Sequence, residues 1–522
     1  MGSLRPLSGG LLALFIAYSA QAQLLRTHVA QGDLAGHQEG SVSAYLGIPF
    51  AAPPVGNDRW KPPLPPQPWT GLRPAEHFAA SCQQAVTPKG FGPWTAEYVV
   101  QGAVSEDCLY LNVWTPAHGA GEHLPVLFWI YGGGFTSGSG SVAIYDGAAL
   151  AAKGIIVVSV NYRVGVYGFL AHPELSAESP VNASGNYGLM DQVAGLKWVQ
   201  QNIAAFGGDP ARVTIAGQSA GAASVHHLIA SPLADGLFSQ AIAESGSGMG
   251  LAVPDRSAAE AVGTALSNAG GTHLSLAQLR ALSPAELNRR LMAAAPGRGL
   301  QFGPDIDGLF LTPDSAGRDT NDTPILTGMT AEEMAGLSPA YGKTTVASFK
   351  AQVSQVYGGS GPQLDALYAP KSDAAAWDAT KALGRDRGLA SLYFWAVGRL
   401  KSTRYPIYGY LWTHAEPGPE AARYGAFHSS EIPYVFGTLD AAQRPFTAVD
   451  RRLAVEMSGY WVNFVKTGNP NGTGLVAWPA LKRPGMRILE IGRRTTARPV
   501  LPPATLKVFE HYVAGGGKLG LF

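Results

Sequence analysis

Six short apolar runs recur along the chain: "VLFWI" (126–130), "IIVVSV" (155–160), "VTIA" (213–216), "QAIAES" (240–245), "PILTG" (324–328) and "YGYLW" (408–412). Each is continuously apolar or nearly so, as expected of strands covered on both faces. Helix-like stretches such as "YGLMDQVAGLKWVQQNIAAF" (187–206) separate several of them. Such strand–helix alternation predicts an α/β fold, a large and mostly parallel central sheet flanked by helices. The proline-dense segment 41–69 cannot be helix interior and reads as extended chain wrapping a surface. Residues 250–300 are rich in alanine and leucine and read as a helical insertion between strands.

Composition narrows the class. Of 522 residues, 46% are hydrophobic and 14% charged, enough apolar material for a large core. Basic and acidic residues number 38 and 37, and no basic stripe stands out, which argues against a nucleic-acid partner. The N-terminus carries Arg5, the apolar run "LLALFIAYSA" (11–20) and the small-x-small triplet Ala20-Gln21-Ala22. This is a signal-peptide pattern, and it predicts cleavage before Gln23 and export to the periplasm or medium. No other run approaches the ~18 apolar residues of a membrane span. The mature body is then 23–513, with "AGGGKLGLF" (514–522) read as a flexible tail. The two cysteines, Cys82 and Cys108, form an even pair that in an exported chain suggests a disulfide. A metal site is disfavoured because no further cysteine can complete it.

The chemistry begins at "VTIAGQSAGAASVHHLIA" (213–230). A strand runs into Gly217-Gln218-Ser219-Ala220-Gly221 and then into an alanine-rich helix. With 65 glycines in the chain, G-x-S-x-G alone is expected by chance about as often as not, so the flanking strand and helix carry the inference. A serine on such a turn projects its hydroxyl into open space, with a helix N-terminus behind it that favours developing negative charge. Upstream, "VLFWIYGGGFTSGSG" (126–140) is a buried strand running into Gly132, Gly133 and Gly134. Acyl transfer needs backbone N–H donors close to an oxyanion, and glycines let the main chain approach; the N–H of Ala220 adds a donor.

A serine needs a base and the base an orienting carboxylate, in the chain order Ser, Asp or Glu, His. Among the histidines after Ser219, His226 and His227 fall on the following helix and read as surface or packing residues. His273 precedes the "PILTG" strand, and His511 lies in a helix-like C-terminal segment. His428, in the loop "YGAFHSSEIPYVFG" (424–437) after the last strand, is placed as a base should be, ahead of His414 at the end of "YGYLW". The carboxylate belongs after "PILTG", where Glu332 and Glu333 stand side by side. Only one of two adjacent glutamates can meet one imidazole; the other faces solvent or caps a nearby helix.

These segments, with "AYLGIPFAAPPVGNDRW" (44–60), "SEDCLYLNVWTP" (105–116), "VNYRVGVYGFL" (160–170), "GNYGLMDQ" (185–192), "FGGDP" (206–210) and "WVNFVKTGNPNG" (461–472), resemble the type-B carboxylesterase and cholinesterase family of the α/β-hydrolase fold over nearly the whole mature chain. The resemblance implies a serine hydrolase of carboxylic esters, with Ser219 as nucleophile, His428 as base, and Gly133, Gly134 and Ala220 as oxyanion hole. It implies that Cys82 and Cys108 form the family's first disulfide. It also selects Glu333 over Glu332 as the orienting acid, by alignment to a G-x-N-x-D-E-G pattern. In that pattern Thr330 replaces asparagine and Met334 replaces the final glycine. Trp94, Tyr98, Arg298 and Leu300 fall near positions that line the substrate pocket in relatives. The choline-binding tryptophan is not clearly matched, which points to a general carboxylesterase. The substrate implied is a small-molecule ester, with no metal or organic cofactor.

Overall fold

The computed structural model describes residues 23–246, 253–294, 299–314, 320–338 and 342–520. The expected signal peptide (1–22) and Arg298 lie outside the described residues.

All six apolar runs are strands of one eleven-stranded sheet. In chain order its strands are β1 (His37–Glu39), β2 (Val42–Pro49), β3 (Tyr110–Thr115), β4 (Leu124–Ile130), β5 (Ile156–Val160), β6 (Gly208–Gln218), β7 (Gln240–Glu244), β8 (Ile325–Thr330), β9 (Ile407–Trp412), β10 (Arg487–Ile491) and β11 (Thr496–Pro499). Across the sheet they lie in the order β11-β10-β9-β8-β7-β6-β4-β5-β3-β2-β1. Every neighbouring pair from β5 to β10 is parallel. Antiparallel pairing is confined to the two ends of the sheet. All residues of β5, β8 and β9 are buried, which is why these strands read as unbroken apolar runs.

The helices that cover the sheet include Tyr187–Asn202, Ala220–Ala230 and Ala448–Thr467. The expected insertion is present between β7 and β8 as Arg256–Ser267, Leu276–Ala281 and Pro284–Ala294. Their starts follow local chemistry: Asp255 caps the first by accepting from Ala258 N–H at 2.8 Å, and Ser275 and Gln278 form a capping box on the second. A second helical insertion, Val346–Tyr357, Gly361–Tyr368 and Asp373–Arg399, lies between β8 and β9.

The proline-rich segment only partly wraps the surface as expected: its first part, Val42–Pro49, is β2, a mostly buried strand of the central sheet, and the chain beyond it is anchored by Arg59. Its guanidinium pairs with Glu106 and donates to the carbonyl of Leu282 at 2.7 Å, just past the helix Leu276–Ala281. Deeper in, Arg163 and Asp191 form a bidentate pair with both bonds at 2.8 Å and both residues buried. Removing one partner of such a pair costs about 3–5 kcal/mol. Cys82 and Cys108 are joined in a disulfide across 26 positions of sequence. Closing a loop of that size contributes roughly 3–4 kcal/mol by limiting the unfolded chain. After the last helix, Pro503–Ala514, the Gly517 N–H donates to the Tyr512 carbonyl at 2.9 Å, and Leu519 packs on the core. No helix among the described residues is long and apolar enough to cross a membrane.

Candidate active site

The site is assembled where β6 ends against β4. Ser219 has φ 58° and ψ −123°, a left-handed conformation that costs a serine about 1–3 kcal/mol. The glycines around it are sterically required. A Cβ on Gly221 would stand 2.0 Å from the Ile130 carbonyl oxygen, and one on Gly217 would stand 2.5 Å from the Gly221 carbonyl and 2.7 Å from that of Ile130. The turn is held by the Ser219 N–H, which donates to the Glu244 carbonyl at the end of β7 at 2.9 Å. Ser219 is the N-cap of the helix Ala220–Ala230, so the helix N–H ends converge beside its side chain.

The glycine loop after β4 reaches this turn. A Cβ on Gly132 would stand 2.9 Å from Ser219 Cβ, so only glycine lets the two segments meet. Gly133 and Gly134 have φ of 121° and 62°. The loop closes on itself through Thr136 and Ser137, whose N–H groups donate to the Gly133 carbonyl at 3.0 and 3.1 Å. Gly133, Gly134 and Ser219 line one cavity of about 450 Å³, and Ala220 begins the helix directly behind it.

Glu333 and His428 are brought together, His428 Nδ1 bonding Glu333 Oε2. The other Glu333 oxygen accepts from Ser245 Oγ at 2.6 Å and from the Thr330 N–H at 2.8 Å. With the carboxylate on Nδ1, that nitrogen carries the proton and Nε2 is left with its lone pair. His428 lines the same cavity as Ser219.

Glu332 departs from expectation. It neither faces solvent freely nor caps a helix. Its N–H donates to the Ala426 carbonyl at 3.0 Å, and its Oε2 accepts from the Ala426 N–H at 2.7 Å. Its carboxylate lies over Gly425, where a Cβ would stand 2.7 Å from it. Burial pushes its carboxyl pKa upward, opposed by the Ala426 N–H and by Lys381 and Arg385. Glu332 thus zips the acid loop to the base loop, and the register it sets brings Glu333 to His428. The loss of glycine at 334 carries no backbone cost: Met334 is exposed and is not among the left-handed positions, whereas Gly336, at φ 81°, is.

Trp94 and Tyr98 line the cavity. Trp94 also donates from Nε1 to the His428 carbonyl at 3.0 Å, and the Tyr98 hydroxyl donates to Glu416, which pairs with Arg444 at 2.9 Å. The disulfide-closed loop that carries both residues is thereby tied to the base loop. Leu300 is half-buried against the core and is not among the residues lining the cavity. The runner-up base, His414, is engaged elsewhere: Nε2 bonds Asp450 at 2.8 Å, and Asp450 also accepts from Tyr434 at 2.9 Å.

Sequence reasoning passed over three groups. Ser245 holds the acid, and its only sequence signal is its place at the C-terminal end of a parallel strand. Glu244 and Glu431 are fully buried behind the site. Glu244 Oε1 accepts from Trp461 Nε1 at 2.7 Å, while Oε2 of each finds no partner among the described residues. Burial pushes Glu244 up to about 8, and burial together with Glu244 and Glu333 pushes Glu431 well above the usual carboxylate range. Both are therefore neutral carboxyls at neutral pH.

A left-handed serine at a strand–helix turn, a glycine loop beside it and a Glu–His pair on the loops after the next strands are thus brought together around one cavity. Residues 22–507 match the model of the carboxylesterase family. The chain is 38% identical over 496 residues to "Fumonisin B1 esterase" of Sphingopyxis macrogoltabida, covering 91% of this chain and 88% of that protein. It is 34% identical over 519 residues to "Cocaine esterase" of Homo sapiens, covering 90% and 88%. It is 33% identical over 531 residues to "Fatty acyl-CoA hydrolase precursor, medium chain" of Anas platyrhynchos, covering 91% and 89%. The chain belongs to the carboxylesterase family, with the α/β-hydrolase fold, and is an ester hydrolase.

The raised pKa of Glu244 has a consequence for stability. Above its ordinary value of 4.5 the unfolded chain ionises this group, while the folded chain keeps it protonated to about 8. Its contribution is therefore present at acid pH and lost as pH rises towards 8. Gln is the neutral isostere and still offers Trp461 a carbonyl. Urea midpoints of Glu244→Gln should fall less steeply than wild type between pH 5 and 8; parallel curves would contradict the protonated state.

Proposed function

We propose that Ser219, His428 and Glu333 act as a catalytic triad and hydrolyse a neutral carboxylic ester through an acyl-enzyme. The observation that carries this is the convergence of Ser219, His428 and the Gly133–Gly134 loop on one cavity, with Glu333 on the far nitrogen of the imidazole. Nε2 of His428 takes the Ser219 proton as Oγ attacks the ester carbonyl. The oxyanion is held by the N–H groups of Gly133, Gly134 and Ala220. The C–O bond to the alcohol breaks and His428 returns the proton to that oxygen. Water then attacks the acyl-enzyme, giving its proton to the same nitrogen, and the acid leaves as Ser219 is reprotonated. Glu333 fixes the tautomer and stabilises the imidazolium in both halves.

Ser219→Ala should lose hydrolysis of p-nitrophenyl butyrate and labelling by a fluorophosphonate while staying folded. Glu333→Gln should lower kcat by about 10³–10⁴-fold, as expected when the orienting acid of a triad becomes an amide. Glu332→Gln should leave kcat within about tenfold and act mainly on stability, at roughly 1–3 kcal/mol for a disturbed buried hydrogen bond. Turnover by Ser219→Ala, or a larger kcat loss for Glu332→Gln than for Glu333→Gln, would overturn the assignment.

The cavity wall narrows the substrate class. Val86, Phe91, Trp94, Val100, Val142 and Leu337 make it largely apolar, and no Lys, Arg, Asp or Glu is among its described lining residues. This supports uncharged acyl and alcohol groups. In a series of esters with neutral and anionic acyl groups, kcat/KM should favour the neutral members. A preference for anionic acids would instead bring in Arg298.

The disulfide supports the reading that the chain is exported to the periplasm or medium. Intact mass of the exported protein should correspond to a chain beginning at Gln23; a mass retaining residues 1–22 would count against it.

A further inference from the structure

Gln218, immediately before the serine, is 2% exposed and has no role in the mechanism above. Its amide nitrogen lies 3.1 Å from His428 Nε2 and 3.5 Å from Nδ1. A single group within reach of both nitrogens of one imidazole lies over the ring, not along either lone pair. The in-plane directions are thus left for chemistry, Nδ1 toward Glu333 and Nε2 toward the cavity. The amide oxygen points away, toward Gly132, where a Cβ would stand 3.0 Å from it. The end of the amide presented to the base is the donor end, which carries partial positive charge.

We propose that Gln218 is a positioning residue that covers the face of the base and, by holding an N–H dipole against it, keeps His428 in its neutral, proton-accepting form. The inference rests on the reading of His428 as the base. A positive dipole end against a buried ring opposes the imidazolium more than the neutral ring, and around a ring that is 5% exposed this opposition is weakly screened.

The other groups around the ring do not supply an equivalent effect. From its own loop comes Glu431, from the end of β7 Glu244, and burial keeps both protonated. From β9 comes Tyr410, and from the cavity wall Tyr98 and Tyr145, all with phenols pushed up by burial and so neutral. Arg444 lies over the neighbouring Phe427 at 5.9 Å and is paired with Glu416 and Glu97. The acid loop supplies Glu333 on Nδ1 and Glu332, turned to Ala426. Glu333 favours the imidazolium, and among the described contacts to the ring Gln218 opposes it.

The test is the acid limb of kcat/KM against pH in two variants. Gln218→Glu puts an acid of the same shape over the ring, and Gln218→Met keeps the bulk and removes the dipole. Unlike Glu244 and Glu431, whose Oε2 atoms find no partner among the described residues, a carboxylate at 218 would have the imidazolium as its partner and so ionise; a nearby opposite charge typically moves a pKa by about 1–3 units, so the Glu variant's acid limb should move to higher pH by at least a factor of ten in proton concentration. The Met variant should move in the same direction by less. Both should keep stoichiometric fluorophosphonate labelling and an unchanged KM for p-nitrophenyl butyrate at the pH plateau. Acid limbs that coincide with wild type in both folded variants, or that move to lower pH, would overturn the role of Gln218. Ser219→Ala is carried in parallel: if it still turns over ester, the triad reading fails and not the role of Gln218.

Discussion

The close approach of two strand ends is the constraint on which the rest of the site depends. The Ile130 carbonyl at the end of β4 lies where a side chain on Gly217 or Gly221 would have to go. Removing both side chains lets β6, the serine turn and the following helix pack directly on β4. The same closeness brings the glycine loop after Ile130 against Ser219 Cβ. The serine turn and the glycine loop are thus placed by one steric arrangement, with no side-chain hydrogen bond needed between them. The left-handed serine is tolerated because its N–H is tied to β7 through the Glu244 carbonyl and its own carbonyl starts the helix at Ala223.

The acid and base come from farther along the chain and need a different device. Their strands, β8 and β9, are neighbours in register, Thr330 beside Trp412, so the loops that follow them emerge side by side. Glu332 then pairs with Ala426 through both main chain and side chain. That pairing leaves Glu333 on the opposite side of the chain, facing His428, Ser245 and the Thr330 N–H. The two side chains leave the turn in different directions, Glu332 to Ala426 and Glu333 to His428. The two glutamates therefore divide the work by geometry: one registers the loops and the other meets the base.

This explains how much could be read in advance. The central strands were legible because burial on both faces leaves an unbroken apolar run. Ser219 and the glycine loop were legible because steric exclusion allows only one residue type at the close contacts. The choice of Glu333 was not legible locally, since "AEE" carries no sign of which side faces the base; only the family pattern separated the pair. The part played by Glu332 was missed because it depends on the backbone of residue 426, on a different loop. Trp94 was expected as pocket wall, but its bond to the His428 carbonyl joins segments 334 positions apart, a separation local sequence patterns do not reach.

Electrostatics complete the picture. A buried carboxyl with an unpaired oxygen is costly as an anion and modest in cost as an acid. Glu244 and Glu431 are placed so that they remain acids, and they lie behind the imidazole without adding negative charge to it. In the mechanism we propose, the charge that develops on His428 during acyl transfer is then met chiefly by the one carboxylate aligned with its N–H. An acid so placed both orients and stabilises, while anions set diffusely behind the ring would raise its proton affinity in the resting state and leave less of it free to accept the serine proton. Burial of the two neutral carboxyls therefore serves the base by keeping its surroundings quiet, and leaves the balance at His428 to the groups in direct contact with the ring.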